Sequence, residues 1–172
     1  MQEIKSVRDA DVAGKRVLVR TDFNVPVKDG VIEDDLRIRA ALPTIQLLLE
    51  KGAVKIVILT HLGRPKDASD TSESIAPVAA HLRTLLDSPL VEVHENLRFD
   101  VREETNDPAF AAELAALGDV YVNEAFSNSH RFHASMVGVP KLLPSYAGLH
   151  LLEELAHLTP ALTPPQGSLA II

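Results

Sequence analysis

The sequence predicts an α/β fold in which a parallel sheet is flanked by helices in a Rossmann-like, three-layer arrangement. Short β-branched runs alternate along the chain with longer segments of helical character, and this alternation is typical of parallel sheets. The chain has 172 residues, of which 46% are hydrophobic, so it is long enough for one domain with a core. Aromatic residues make up only 4%, so we expect a core of Leu, Val, Ile and Ala.

Four segments have the composition of strands. Each is a short run that is rich in Val, Ile or Leu and is bounded by polar or turn-forming residues. They cover residues 17–20, 54–60, 91–93 and 120–122.

Three segments of helical character separate these strands. The first covers residues 35–50, and Pro43 is expected to kink it. The second covers residues 74–86, and the third begins at Asp107, where an Asp-Pro pair is a helix start signal. Because ligands bind at the carboxyl ends of the strands in such sheets, we expect the functional site at that edge.

The composition of the chain argues against several classes of protein. The formal net charge is -7, and the sequence has no Lys/Arg cluster of the kind that nucleic-acid binders carry. The absence of cysteine excludes disulfides and Cys zinc sites. No apolar run reaches membrane-spanning length, and the N-terminus has no apolar signal region. We therefore expect a monomeric, cytoplasmic protein without a nucleic-acid or membrane partner.

Four short polar motifs follow the predicted strands. Three of them carry an arginine, namely Arg64, Arg98 and Arg131, and Arg37 follows the remaining motif. Arginine is the side chain best suited to bidentate binding of carboxylate and phosphate. The pattern therefore indicates a pocket for a small, multiply charged anion. The motifs are residues 22–26 (DFNVP), 61–65 (HLGRP), 95–99 (ENLRF) and 130–133 (HRFH).

Each motif taken alone has a simpler explanation. Asp22 and Asn24 are common turn residues, and an arginine in a loop is usually solvated. His130 and His133 taken alone would be read as surface histidines. The functional interpretation depends on all four motifs meeting at one edge of one sheet.

Two further patterns bear on cofactors. The eight glycines are far apart, so no Gly-x-Gly-x-x-Gly or Walker loop is present to hold nucleotide phosphates. A predicted helix carries acidic and histidine residues at a spacing that can bind zinc, but it lacks the His-Glu-x-x-His pattern, and we expect no metal site. These residues are His150, Glu153, Glu154 and His157.

Residues 17–26 (VLVRTDFNVP) are very similar to the opening signature of phosphoglycerate kinases. Arg37 and residues 61–65, 95–99 and 119–123 follow in the family's order, so the resemblance covers essentially the whole chain. It implies the N-terminal half of the two-domain phosphoglycerate kinase fold. It also implies a glycolytic kinase reaction with a carboxyl acceptor, in which a phosphoryl group moves between 1,3-bisphosphoglycerate with ADP and 3-phosphoglycerate with ATP.

The resemblance also implies roles for individual residues. Asp22 and Asn24 would bind the hydroxyl and carboxyl end of 3-phosphoglycerate, with His61 near the carboxylate. Arg37 would have a catalytic role, because it would stabilise charge on the phosphoryl group in flight. The 3-phosphate would be held by Arg64, Arg98 and Arg131, and the substrate-binding set also includes Phe23, Leu62 and Gly63.

By the same resemblance, the chain divides into four parts. Residues 1–148 would form the substrate-binding N-terminal domain and residues 149–158 an interdomain helix. Residues 159–167 would form a linker, and residues 168–172 the first strand of a C-terminal nucleotide domain. Mg-ATP or Mg-ADP would bind to that C-terminal domain. In the isolated chain we expect residues 166–172 to be loosely ordered or paired with another molecule.

Three departures from the family pattern matter. Residues 124–131 (EAFSNSHR) stand where the family usually reads Asp-Ala-Phe-Gly-Thr-Ala-His-Arg, so a glycine is lost near the site. A strand–helix unit before residues 95–99 is missing, so we expect the sheet to be one strand short. The sequence stops at Ile172, before the family's Gly-Gly-Ala-Lys segment.

We therefore expect the isolated chain to be inactive as a kinase. Two alternatives stay open at this stage. The chain could be a binding module for a phosphorylated carboxylic acid with no kinase activity, or a half-enzyme that needs a separately encoded C-terminal domain.

Overall fold

A five-stranded parallel sheet forms the middle layer of the molecule. The computed structural model describes residues 4–67 and 69–162. The strands in chain order are β1 (Arg16–Arg20), β2 (Val27–Lys28), β3 (Val31–Ile32), β4 (Lys55–Leu59), β5 (Val91–Val93), β6 (Val120–Asn123) and β7 (Ser145–Ala147). The sheet has the order β5-β4-β1-β6-β7, and all its neighbouring strands are parallel. β2 and β3 form a separate antiparallel pair.

Helices cover both faces of this sheet. They are α1 (Leu36–Glu50), α2 (Ala76–Leu85), α3 (Val101–Glu104), α4 (Pro108–Ala115) and α5 (Leu149–Leu162). A π-helix spans Ala134–Gly138. Val17 and Val19 of β1 pack with buried residues of α1 and α2, whereas Leu18 packs with buried residues of α4 on the opposite face. This alternation confirms the predicted α/β, three-layer fold.

Local signals in the sequence set the positions of most elements. β1, β4, β5 and β6 coincide with the four predicted strands. The Asp107 carboxylate accepts from the backbone N–H groups of Ala109 and Phe110, so it caps α4, and Pro108 occupies the first turn. α1 runs through Pro43 without interruption, and the expected kink stays a prediction.

Two parts of the structure were not predicted from the sequence or were predicted wrongly. β7 and the β2–β3 pair were missed, because each segment has only two or three residues. The expected linker at residues 159–167 is wrong for its first four residues, which continue α5 to Leu162. Pro160 removes one N–H donor, but the helix is already established there, and Thr159 Oγ1 donates to Leu155 O at 2.6 Å. Residues 163–172, including the predicted terminal strand, lie outside the described residues.

The start of α5 is fixed to the rest of the domain by a buried polar network. Thr44 Oγ1 of α1 donates to Glu124 Oε1 at 2.7 Å and accepts from Leu149 N at 2.8 Å. Glu124 Oε1 also accepts from His150 N at 3.1 Å. A carboxylate at a helix N-terminus is favourable, because it satisfies free N–H groups and the helix dipole. The helix expected to join two domains is therefore anchored to this one.

Of the helices that the structure describes, none combines the length and the apolar character that a bilayer crossing requires.

We expect Thr44→Val to lower the free energy of unfolding by about 1–3 kcal/mol. The substitution keeps the shape of the side chain but leaves Leu149 N–H and Glu124 without their shared partner. Thr84→Val is the matched control, because Thr84 is exposed and its hydroxyl donates only to His81 O. Urea unfolding of both variants measures the difference. Equal stability of the two would mean that the network does not anchor α5.

Candidate functional site

The predicted motifs meet at the carboxyl edge of the sheet. β1 ends at Arg20, β4 at Leu59, β5 at Val93 and β6 at Asn123. Each of the four motifs lies a few residues beyond one of these strand ends. Because the strands are parallel, the loops that carry the motifs lie at the same edge of the sheet.

Hydrogen bonds to Asp22 link the first motif with α1 and with the loop after β6. Arg37 Nη1 and Ser127 Oγ both donate to Asp22 Oδ2 at 2.5 Å. Burial raises the pKa of Asp22, but the hydrogen bond from Ser127 and the charge of Arg37 outweigh it, so the pKa lies below its ordinary value. All three linked side chains line a cavity of about 320 Å³. Asp22 is therefore an ionised acceptor at the wall of this cavity.

Gly63 links the first, second and third motifs through its backbone. Its N–H donates to Asn24 Oδ1 at 2.8 Å, and its carbonyl accepts from Arg98 Nη1 at 2.7 Å. Its φ is +56°, a region that glycine adopts readily. A Cβ at this position would lie 1.9 Å from a carboxylate oxygen of Glu73. The positive φ therefore favours glycine here, and any other residue would also have to displace the flexible Glu73 carboxylate.

The third motif also carries residues whose role is structural. Asn96 Nδ2 donates to Leu62 O and to Glu73 O at 2.8 Å each, which holds the loop of the second motif. Glu95 accepts from Ile75 N at 2.7 Å and thereby supports the start of α2.

Phe23 and Leu62, which were predicted to belong to the substrate-binding set, have buried side chains that pack in the core. Phe23 N donates to Thr60 Oγ1 at 2.9 Å. Any contact that these two residues make with a ligand would therefore come from their backbone.

An arginine cluster lies beside these residues. Arg64 is exposed and shares a cavity of about 330 Å³ with Arg98. Arg98 Nε lies 3.1 Å from Glu104 Oε1 without hydrogen-bond geometry. Among the described residues, the buried Nε–H groups of Arg98 and Arg131 have no acceptor. Buried charged donors without acceptors are costly, so this cluster favours an anionic ligand.

His61 contributes a hydrogen-bonding ring without charge. Burial and the neighbouring charges of Arg20, Arg98 and Arg131 lower its pKa to about 3, although Asp22 acts in the opposite direction. At neutral pH the imidazole is therefore neutral. The groups that shift this pKa place Arg20, Arg98, Arg131 and Asp22 near the His61 ring.

Sequence reasoning missed three residues at this edge. Arg20 is buried, and its signal was an arginine at the end of an otherwise apolar strand run. Ser127 stands where the family pattern has glycine, and no local signal indicated its bond to Asp22. His133 points inward, 3.8 Å from Glu103 Oε1, while His130 is exposed.

The described residues hold no cluster of potential metal ligands. Within residues 4–67 and 69–162, no group of three or more His, Asp or Glu side chains is arranged to hold a metal ion. His150 Nε2 and Glu154 Oε1 on α5 lie 3.8 Å apart and line the cavity beside Asp22. The isolated glycines of the sequence provide no phosphate-binding loop.

Comparison with known proteins identifies the family. A family model described as phosphoglycerate kinase matches residues 7–172. The chain belongs to the phosphoglycerate kinase family. It is 50% identical to the phosphoglycerate kinase of Maricaulis maris over 96% of this chain, and 49% identical to that of Roseiflexus sp. over 94%. The solved phosphoglycerate kinase of Coxiella burnetii superposes over 96% of this chain with a TM-score of 0.89 at 36% identity.

The chain spans about half the length of these phosphoglycerate kinases. It covers 46% of the Maricaulis maris protein and 46% of the Coxiella burnetii chain. The Maricaulis maris match runs over 188 positions, more than the 172 residues available here, so part of the relative has no counterpart within the matched region. This difference is compatible with the predicted loss of a strand–helix unit, whose position stays a prediction.

We expect Ser127→Ala to raise the pKa of Asp22, because the variant loses a hydrogen bond that stabilises the carboxylate. The folded-state pKa of Asp22 is below its unfolded value, so its ionised form stabilises the fold above about pH 4, and this stabilisation is lost as the pH falls. NMR titration of the carboxyl carbon measures the shift. Ser129→Ala is the control, since Ser129 Oγ donates to Ala125 O. An Asp22 pKa that is the same in both variants contradicts the bond.

Proposed function

We propose that this chain provides the 3-phosphoglycerate site of a phosphoglycerate kinase. The observation that carries the proposal is the group of arginines around neutral His61, in which two buried N–H groups have no acceptor within residues 4–67 and 69–162. 3-Phosphoglycerate carries a phosphate and a carboxylate, and charge-assisted hydrogen bonds to such groups are the strongest that a protein makes. Membership of the family supports this choice among small anions.

The two ends of the ligand would bind to different residues. Arg64, Arg98 and Arg131 would hold the 3-phosphate, because Arg64 and Arg98 line one cavity and the Nε–H groups of Arg98 and Arg131 have no acceptor among the described residues. The ionised Asp22 would accept from the hydroxyl group. Asn24 would donate from its Nδ2, since its Oδ1 already accepts from the Gly63 amide.

Arg37 is the proposed catalytic residue. Its guanidinium is about half exposed and is bonded to Asp22 in this structure. Phosphoryl transfer needs charge neutralisation and positioning more than covalent chemistry. A long, exposed arginine at the cavity wall can exchange its bond to Asp22 for one to the phosphoryl group.

The nucleotide would bind outside this chain. By the resemblance to the family, Mg-ATP or Mg-ADP would bind to a C-terminal domain of the whole enzyme, and the sequence of this chain has no glycine-rich phosphate-binding loop. α5 would lead towards that domain. The reaction would be the glycolytic one, between 1,3-bisphosphoglycerate with ADP and 3-phosphoglycerate with ATP, and we expect a monomeric, cytoplasmic protein.

Calorimetric titration with 3-phosphoglycerate tests the site. We expect saturable binding that weakens as salt is added, because the contacts are ionic. Arg98→Ala and Arg131→Ala should each lose on the order of 2 kcal/mol or more, which is about 30-fold in affinity. Arg83→Ala, on the exposed face of α2, removes one positive charge away from the site and is the control. Parent-like affinity in both site variants would show that the pocket is assigned wrongly.

We also expect no steady turnover of ATP and 3-phosphoglycerate by the pure 172-residue chain. Holding the two substrates in line is most of the catalytic task, and only one substrate has a site here. A coupled kinase assay measures this directly. Turnover near ordinary enzyme rates by the chain alone would falsify the assignment of the nucleotide site. Turnover restored by a separately added C-terminal domain would identify a complementing half-enzyme.

A further inference from the structure

Two opposite charges are buried below the site without touching each other directly. Arg20 and Glu103 are each only 1% exposed, and Ser135, at 0%, lies between them. Arg20 Nε donates to Ser135 Oγ at 2.9 Å, and Ser135 Oγ donates to Glu103 Oε1 at 2.5 Å. Ser135 N also donates to Glu103 Oε2 at 2.9 Å. A guanidinium has no acceptor, so the single hydroxyl proton of Ser135 is directed to Glu103.

The other end of Arg20 reaches His61. Its Nη2 lies 3.4 Å from His61 Nδ1, and its Nη1 donates to the backbone carbonyl of Thr21. Because arginine can only donate, His61 Nδ1 must be the acceptor. In a neutral imidazole the proton then lies on Nε2. The line of hydrogen bonds from Glu103 through Ser135 and Arg20 therefore selects one tautomer of His61.

This line of hydrogen bonds also ties together the loops that carry the arginines. Arg20 ends β1, Glu103 lies in α3 just after Arg98, and Ser135 lies in the π-helix just after Arg131. π-Helical segments are rare and frequently occur at functional sites. Removing the Ser135 hydroxyl would disconnect Arg20 from the other two segments, whereas the bond from Ser135 N to Glu103 Oε2 would still link the π-helix to α3.

We propose that Ser135 and Glu103 are positioning residues, which fix Arg20 and through it hold His61 as the Nε2–H tautomer beside the anion site. Neither side chain is available to touch a ligand, because both are buried below the site. The identity of the ligand rests on the proposed function above, whereas the tautomer does not depend on it.

NMR of the chain labelled with 15N-histidine tests the tautomer without any ligand. In the parent we expect pyrrole-type Nε2 and pyridine-type Nδ1 signals for His61. Ser135→Ala should lose this single pattern and show a mixture of tautomers, because Arg20 loses the acceptor of its Nε–H and keeps only its bond to Thr21 O. Ser135→Thr keeps a hydroxyl and should restore the parent pattern. Ser129→Ala, which alters an exposed hydroxyl outside the network, should leave it unchanged.

Titration with 3-phosphoglycerate gives the second measurement. We expect Ser135→Ala to bind 3-phosphoglycerate about tenfold more weakly than the parent, because one hydrogen-bonding group of the site would be misplaced. Ser129→Ala should bind it like the parent. A proton on His61 Nδ1 in the parent would overturn the proposal even if Ser135→Ala does not fold. An unchanged tautomer and affinity in Ser135→Ala would also overturn it. If the parent shows the Nε2–H tautomer but does not bind 3-phosphoglycerate, the proposed function fails and the positioning role stands.

Discussion

The charge of Arg20 must be satisfied without water, and most of the site is arranged around this requirement. Arg20 ends the central strand β1, where parallel neighbours on both sides exclude solvent. A buried charge is stable only when it is paired and hydrogen-bonded. Its partners therefore come from three different loops: Thr21 after β1, His61 after β4 and Ser135 after β6. The same bonds that satisfy Arg20 bring together the loops that carry the other arginines.

The electrostatic potential at the carboxyl edge of the sheet follows from the way in which Arg20 holds these loops together. Several guanidinium groups stand close together in a chain whose net charge is -7, so the positive potential is local. Keeping His61 neutral avoids one more positive charge, and the ionised Asp22 offsets part of the remaining charge. The Nε–H groups of Arg98 and Arg131, which have no hydrogen-bond acceptor among the described residues, then favour an anionic ligand. In the proposed site these hydrogen bonds are formed without a ligand, and such preorganisation reduces the reorganisation that binding requires.

The sequence predicted what local signals determine and missed what depends on distant contacts. β1, β4 and β6 were recognisable as β-branched runs because they are buried on both faces, and Asp107 was recognisable as a helix cap. β7 has three residues and exists through its pairing with β6, so its own sequence carried no signal. The motifs were enough to propose Arg37, Arg64, Arg98 and Arg131 for the site, and their binding role stays a prediction. The roles of Ser127 and Ser135 were not predicted, because their partners lie 105 and 32 residues away along the chain.

A crystal structure of the chain with bound 3-phosphoglycerate is the most direct test of the site. We expect the phosphate within hydrogen-bond distance of the Nε–H groups of Arg98 and Arg131, which lack acceptors in this structure. We also expect Ser135 still to link Arg20 and Glu103, since the network belongs to the preformed site. A phosphate bound elsewhere, with these two N–H groups still without acceptors, would contradict the assignment of the anion site.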